Sequence, residues 1–324
     1  MFLLCYFAPM EGVTGAAFRS AHHRWFGGVD KYFTPFLSPT QHPRLTPRQL
    51  CEVAPRNNEG LNVVPQLLTR RAEDFIWAAD ALAHLGYPEI NLNLGCPSGT
   101  VVAKGKGAGF LAFPEELDRF LDAVFSACTV KISVKTRLGV RDPAEFPRLL
   151  EIFNRYPVAE LTIHPRVQKD FYRGTVRQEA FAAALAASRS PVCYNGDLVT
   201  AADCAAAETA YPAAHAIMIG RGLIANPALA DRLKGGPAAE KPVLRAFHDD
   251  LYERYCTLFG SRHNAMLRMK EVWSFLLFLF EDSEKHGKRL RKAATPQDFD
   301  AQVDAVFRDL ALREDAVPGW FHPA

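Results

Sequence analysis

One cysteine of this chain stands where a side chain could take part in chemistry. Cys96 follows the apolar run 89–94 and precedes the glycine-rich stretch 97–109. A strand would hold the base of that side chain, and glycine turns allow a backbone to approach a ligand closely. The thiol could be an inert core group, a thiolate nucleophile or a proton donor. Because no histidine stands beside it to lower its pKa, the ordinary thiol stays protonated at neutral pH, which favours the proton donor.

Other polar side chains also follow apolar runs. Lys135 ends an alternating run and would be unfavourable to bury unless it faced negative charge. A reduced flavin carries such charge, although a strand-end lysine can also simply reach solvent. Gln66 could hydrogen-bond a planar heterocycle or cap a strand. His164, close to Arg166, could contact an anion or a ring, or it could be a structural histidine.

Two glycine turns follow the last two apolar runs, at residues 195–197 (NGD) and 220–222 (GRG). Loops at such positions of a barrel bind phosphate through backbone N–H groups, and Arg221 could add charge-assisted hydrogen bonds. Either turn alone could be a tight turn without a ligand. The two in consecutive positions indicate a phosphate-bearing cofactor.

The elements that must position these residues are short apolar runs that alternate with helical patterns. The eight predicted strands cover residues 3–8, 31–34, 62–66, 89–94, 132–137, 160–164, 192–195 and 216–220, with helices at 71–85, 114–126 and 144–156 among those between them. The polar residues fall at the carboxyl ends of the strands, which form the active-site face of a barrel. We therefore predict an α/β fold, a TIM (β/α)8 barrel.

The pattern changes after the turn at residues 234–237 (KGGP) and is helical from about residue 241. This change predicts a catalytic barrel over residues 1–237 and a small helical bundle over residues 238–324. Basic residues concentrate in the second part, at Arg268, Lys270 and the cluster 285–292, and could bind nucleic acid or form a solvated face. Trp273 could stack on a base or belong to the helical core. Arg44, Arg48, Arg70 and Arg71 could extend a positive rim if they line the same mouth.

Composition limits the remaining choices. The 324 residues are 48% hydrophobic and carry a net charge of only +2, so any nucleic-acid surface must be a local patch. Seven cysteines without a CxxC pair favour neither a metal site nor a disulfide framework. The apolar start lacks a basic leader, and no run is long enough to cross a bilayer. We expect a cytoplasmic monomer without a membrane partner.

Several segments together are similar in order and spacing to the tRNA-dihydrouridine synthase family. They are residues 8–14 (APMEGVT), 93–97 (NLGCP), 105–108 (GKGA), 134–139 (VKTRLG), 164–166 (HPR), 195–197 (NGD) and 218–222 (MIGRG). The resemblance covers nearly the whole chain. It implies a flavin-binding barrel followed by a helical domain that binds tRNA.

The resemblance also implies roles for individual residues. FMN would be held by Pro9, Met10, Glu11, Gln66, Lys135, His164, Asn195, Gly196, Asp197, Gly220 and Arg221, and the substrate tRNA would contact Asn93, Arg166, Arg268, Lys270, Trp273 and Arg291. Cys96 would be the proton donor. Pro165 departs from the family, which commonly has glycine there, so the loop geometry should differ.

The implied reaction is the reduction of the C5=C6 bond of a D-loop uridine to 5,6-dihydrouridine, with NADPH or NADH as reductant. Residues 268–273 resemble the subgroup that acts on uridine 16. Two alternatives stay open. An FMN-dependent reductase of a free small pyrimidine would not need the basic helical tail, and a tRNA chaperone could retain the barrel without catalysis.

Overall fold

Nine strands lie within the part of the chain that the computed structural model describes, residues 4–317 and 319. They are β1 (Leu4–Phe7), β2 (Lys31–Phe33), β3 (Val63–Val64), β4 (Gln66–Leu67), β5 (Glu89–Leu94), β6 (Lys131–Arg137), β7 (Leu161–His164), β8 (Val192–Tyr194) and β9 (Ala216–Ile219). They correspond to the eight predicted strands, the third of which is divided in two. Leu3, at the start of the first predicted strand, lies outside the described residues.

Helices alternate with these strands and continue after the last of them. They are α1 (Ala16–Trp25), α2 (Pro47–Val53), α3 (Ala72–His84), α4 (Gly99–Val102), α5 (Pro114–Ala127), α6 (Phe146–Phe153), α7 (Gln178–Ala187), α8 (Ala201–Ala210), α9 (Arg221–Ala225), α10 (Leu229–Leu233), α11 (Lys241–Phe259), α12 (Arg262–Leu276), α13 (Glu284–Lys292) and α14 (Pro296–Asp309). Short 3₁₀ segments lie at Pro55–Asn57, Gly107–Ala112, Pro143–Glu145, Gln168–Asp170 and Leu277–Leu279. Among these described helices, none is both long and apolar enough to span a membrane.

The strands form one parallel sheet in the order β3-β2-β1-β9-β8-β7-β6-β5-β4. Its two end strands, β3 and β4, are joined through Pro65, so the chain itself closes the sheet into a barrel. Pro65 has no N–H to donate and interrupts the strand, but its carbonyl accepts from the N–H of Asn91 at 2.8 Å. The predicted TIM-barrel fold is confirmed.

Two sets of strand side chains can be distinguished: one fills the barrel interior, and the other packs against the outer helices. A small cluster from β1, β2, β3, β8 and β9 fills the interior and includes Tyr6, Phe33 and Met218. The next residue along β1, Phe7, points outward and packs against Phe18 of α1 with ring centroids 5.8 Å apart. This alternation is what a strand with two buried faces requires.

Helices α11 to α14 pack beside the barrel. Phe247 of α11 contacts Phe18 and Phe26 at the two ends of α1, with ring centroids 5.9 and 5.4 Å apart. The side chain of Thr295 caps α14 by accepting from the N–H of Asp298 at 3.1 Å. The division of the chain at residues 237 and 238 stays a prediction.

Ionisable side chains close the amino end of the barrel. Lys31 and Glu89, the first residues of β2 and β5, form an ion pair at 2.9 Å. Tyr6 donates to Glu160, just before β7, at 2.8 Å, and His215 Nε2 lies 3.7 Å from the same carboxylate. Burial raises the pKa of Glu160 from 4.5 to about 7, although Lys31 and the Tyr6 hydroxyl act in the opposite direction.

The raised pKa of Glu160 predicts that the stability of the fold depends on pH. Because its folded-state pKa is raised, its contribution is complete below pH 4.5 and is lost as the pH rises through about 7. Each pKa unit corresponds to about 1.4 kcal/mol, so the loss reaches about 3 kcal/mol. In Glu160→Gln, the free energy of unfolding in urea should fall less between pH 5 and pH 8 than in the wild type. The exposed Glu179→Gln is the control, and an equal fall in all three proteins would contradict the assignment.

Candidate active site

The carboxyl ends of the strands surround a cavity of about 490 Å³. Twelve residues singled out from the sequence line it: Pro9, Met10, Glu11, Gln66, Asn93, Cys96, Lys135, His164, Asn195, Asp197, Gly220 and Arg221. They come from loops separated by more than 200 residues of chain, from Pro9 to Arg221, and meet because parallel strands end at the same rim. A cavity of this size accommodates a ligand of cofactor size.

Asn93 sets the start of the loop that carries Cys96. Its Oδ1 accepts from the N–H groups of Gly95 and Cys96 at 3.0 and 2.9 Å, and its Nδ2 donates to Gln66 Oε1 at 2.6 Å. Gln66 in turn donates to Asn91 at 2.8 Å. This chain of amides fixes the backbone at Cys96, so that the position of the thiol is set by the end of β5.

The glycine-rich stretch folds back over the cysteine. Gly107 has a φ of +56°, and a Cβ there would stand 2.8 Å from the Cys96 carbonyl oxygen. That carbonyl accepts from the N–H of Ala108 at 3.0 Å. Burial raises the pKa of Cys96 above its ordinary value, against the opposing effects of the Ser98 N–H and Arg137. The half-buried thiol is therefore protonated at neutral pH.

Lys135 presents a half-buried ammonium to the same cavity. Its Nζ donates to Asn195 Oδ1 at 2.7 Å, and Asn195 is fixed by a bond from its Nδ2 to the Met218 carbonyl at 2.7 Å. Burial, aided by the charge of Arg137, lowers the pKa of Lys135 to about 8. An anionic ligand beside this ammonium would remove much of that cost.

Arg166 differs from its predicted role. It lies beneath the cavity with 1% of its side chain exposed, and it does not line the cavity. Its Nη1 donates to Asp197 Oδ1 at 2.9 Å and to His164 Nε2 at 3.2 Å. Its Nη2 donates to Asp197 Oδ2 and to the Gly174 carbonyl, and its Nε donates to the Arg173 carbonyl. In this arrangement Arg166 supports His164 and Asp197 rather than contacting a substrate.

The bond from Arg166 also defines the state of His164. Guanidinium can only donate, so the Nε2 of His164 accepts and its Nδ1 carries the proton. Burial, together with the charges of Arg137, Lys135, Arg166 and Arg221, holds the pKa of His164 well below its ordinary value. The ring is neutral and serves as a hydrogen-bond donor through Nδ1.

Two aromatic residues that the sequence did not indicate also line the cavity. The ring of Tyr172 lies between the guanidinium groups of Arg137 and Arg221, 5.2 and 5.3 Å from its centroid. Phe171 has a φ of 51°, which is unusual for a bulky residue, and Arg137 holds its carbonyl at 2.6 Å. Both side chains are exposed. They lie in the loop after β7, where no periodicity marked them.

Two further expectations concern the loops after β7 and β8: that Gly196 holds the flavin, and that Pro165 changes the geometry of its loop. Gly196 does not line the cavity, and a Cβ there would meet the Tyr194 hydroxyl at 2.8 Å. Its small size is therefore required by packing. Pro165 contributes its carbonyl, which accepts from the N–H of Arg177 at 2.8 Å.

The residues predicted to contact tRNA through the helical part occupy different environments. Arg268 of α12 is mostly buried and donates to the Gly12 carbonyl and to Glu271. Lys270 donates to the carbonyls of Arg291 and Ala293 at the end of α13, and Arg291 itself is exposed.

Trp273 corrects the prediction that it stacks on RNA. Its side chain has no exposed surface. Its ring packs against His248, Phe280 and Phe307, with centroids 5.6 to 5.9 Å away. Helical spacing in the sequence identifies an apolar stripe, but it does not show whether Trp273 in this stripe is buried or faces solvent.

Trp273→Ala should therefore destabilise the fold by about 3–5 kcal/mol, the usual effect of truncating a buried aromatic side chain. Arg291→Ala, at an exposed position of the same helical part, should change stability by less than about 0.5 kcal/mol. Unfolding in guanidinium chloride measures both. A Trp273→Ala protein as stable as the wild type would show that this core is not closed.

The barrel and its cavity have the architecture of an α/β-barrel enzyme, and the matching family model assigns the chain to the flavin-dependent oxidoreductases. The sequence identifies the family more closely: the model for dihydrouridine synthase (Dus) matches residues 6–310, and the chain belongs to this family.

Individual relatives agree with this assignment. The chain is 33% identical to a tRNA-dihydrouridine(16) synthase of Ralstonia nicotianae over 242 residues, 72% of this chain and 73% of that protein. It is 28% identical to tRNA-dihydrouridine synthase B of Pasteurella multocida over 223 residues, 68% of this chain and 66% of that protein.

Solved structures share the fold. A variant of NCR from Zymomonas mobilis superposes with a TM-score of 0.52 at 15% identity, covering 75% of this chain and 90% of that one. Morphinone reductase in complex with tetrahydroNAD gives 0.51 at 14% identity, covering 73% and 88%.

Proposed function

We propose that this chain is a tRNA-dihydrouridine synthase that reduces the C5=C6 bond of a D-loop uridine, with FMN as cofactor, NADPH as reductant and Cys96 as proton donor. The observation that carries the proposal is the protonated thiol of Cys96, held at the rim of the same cavity that Lys135, on the neighbouring strand β6, lines with its half-buried ammonium. The names of the relatives support the activity and the tRNA substrate.

The cavity residues fit a flavin. Lys135 is a half-buried cation whose hydrogen-bond partner, Asn195, is neutral, so it suits the edge of a ring that becomes negatively charged. Gln66 and His164 supply hydrogen-bonding groups for a polar heterocycle. Gly220 also lines this wall, where a Cβ would make an ordinary van der Waals contact with Met10 Sδ at 3.4 Å. When bound, the flavin supplies the hydride that C6 of the uracil receives.

Arg221 and the turn at residues 195–197 would hold the cofactor's phosphate. The Arg221 guanidinium lies 3.4 Å from Asp197 Oδ1, and Asp197 is itself held by Arg166. A phosphate at this place would contact the Arg221 guanidinium, whose orientation is fixed by its ion pair with Asp197. Asp197 would keep the arginine in place and would not contact the anion.

Cys96 completes the reduction by protonating C5. Its raised pKa keeps the proton on sulfur until the substrate arrives. The nearby charges of Arg137 and Lys135 act in the opposite direction and stabilise the thiolate that the transfer leaves. That thiolate regains a proton from solvent. Overall, one uridine, one NADPH and one proton give dihydrouridine and NADP⁺.

The uracil must leave the base stack to reach the thiol. The exposed ring of Tyr172 and the amide of Asn93 line the route into the cavity and offer a stacking face and hydrogen bonds. Arg268, Lys270 and Arg291 remain our proposed tRNA contacts in the helical part, and Trp273 is not among them because it is buried. Uridine 16 is the proposed target, in line with the name of the Ralstonia relative.

Cys96→Ala should retain bound flavin and lose turnover by at least about 100-fold, since the positioned proton donor is missing. Cys128→Ala, at the end of α5 and outside the cavity, is the matched control. Flavin absorbance and dihydrouridine formed per enzyme are the two measurements. A Cys96→Ala enzyme with full turnover would remove the thiol from the mechanism.

The target is tested by mapping dihydrouridine in tRNA from a strain that lacks its own synthases and expresses this chain. We expect the modification at uridine 16. Reduction of free uracil or orotate without tRNA would instead indicate a reductase of small pyrimidines. A protein that binds tRNA but cannot be loaded with flavin would indicate a chaperone.

A further inference from the structure

A second cavity, of about 630 Å³, adjoins the active site. Glu11, Pro35 and Phe36 line both cavities, so the two spaces share a wall. The rest of the second cavity comes mainly from α1 and α2 on the barrel side, and from the end of α11 and Arg268 of α12 on the other. A ligand in the active site could extend from one space into the other.

The wall on the helical side is aromatic and apolar. Tyr255 and Phe259, one turn apart on α11, are stacked with centroids 5.8 Å apart. Phe259 and Leu258 are exposed at the end of this helix although both are large and apolar. Aromatic faces of this kind bind nucleobases of any sequence by stacking.

The junction of the two cavities carries an arginine. Arg48 is 85% exposed and pairs with Glu11 across 3.7 Å, a loose ion pair at the shared wall. Such an exposed pair contributes little to stability, so the guanidinium can exchange its partner readily. A phosphate between two nucleotides would meet this cation if each cavity held one base.

A carboxylate in the second cavity has a fixed direction. Glu52 Oε2 accepts from the Ala16 N–H at 2.9 Å and from the buried Arg19 at 3.3 Å. Oε1 lies on the other side, 2.9 Å from where a Cβ on Gly15 would stand. Glu52 and Gly15 both line the cavity, so this oxygen can accept a hydrogen bond from a ligand there.

From these contacts we infer that the second cavity holds the base next to the target uridine, and that it selects a base with an exocyclic amino group. The base would lie against Phe259 and Tyr255, donate its amino group to Glu52, and place the connecting phosphate beside Arg48. This inference rests on the proposed function, because only an RNA substrate brings a neighbouring nucleotide.

The test uses flavin-loaded enzyme and RNA hairpins that contain the target uridine. In two of them, the 5′ or the 3′ neighbour is replaced by an abasic nucleotide. One of these should bind the wild type at least about tenfold more weakly than the intact hairpin, as expected for loss of one stacked base. At that position, inosine should bind more weakly than guanosine, because it lacks only the amino group.

Two cavity variants locate the effect. Ala17→Phe fills the cavity from α1, and Phe259→Ala removes the stacking surface at an exposed position. The abasic penalty should disappear in the first and shrink in the second. The matched control, Arg119→Ala on the outer face of α5, should keep the full penalty. Flavin content shows that each variant is folded.

Other outcomes overturn the inference. Equal binding of the intact and both abasic hairpins to the wild type would do so, as would an unchanged penalty in both cavity variants. Slower flavin reduction by NADPH in Ala17→Phe, with the penalty unchanged, would assign the cavity to the reductant. An enzyme that shows the penalty but forms no dihydrouridine would refute the proposed function alone, and one that binds no RNA would refute both.

Discussion

Closure of the parallel sheet through Pro65 is the constraint on which the remaining structure depends. The two outermost strands are consecutive in the chain, so the sheet keeps no open edge once β2 and β5 have paired with them. In a closed parallel barrel, the carboxyl ends of all strands lie at the same rim. Cys96, Lys135 and Asn195 therefore meet although they are far apart in sequence, and their separation is fixed by strand register rather than by loop conformation.

The rim concentrates positive charge around His164 and Asp197. Lys135, Arg137, Arg166 and Arg221 all act on His164, while Asp197 accepts from two of these arginines. Such an arrangement is unfavourable in the free protein because desolvation lowers the pKa values of the lysine and of Arg137 and Arg221. An anionic cofactor offsets this cost, so cofactor binding should also stabilise the fold.

The fold and most of the cavity could be predicted from sequence because apolar runs mark strands and motifs mark strand ends. The roles of Arg166 and Trp273 could not, since burial depends on which neighbours surround a side chain. Residue order gives Arg166 a place beside His164, but only the structure shows Asp197 and two carbonyls saturating it. Tyr172 lies in an irregular loop, where no periodicity indicates a contact.

The bond from Arg268 to the carbonyl of Gly12 joins the helical appendage to the loop that carries Met10 and Glu11. The helical part is thus attached to the barrel at Gly12, the residue that follows Glu11 of the active-site cavity. An RNA bound along these helices would therefore lie at a fixed distance from the thiol of Cys96. If RNA binds these helices as we propose, this contact and the packing of Phe247 against α1 together decide which nucleotide lies over the Cys96 sulfur.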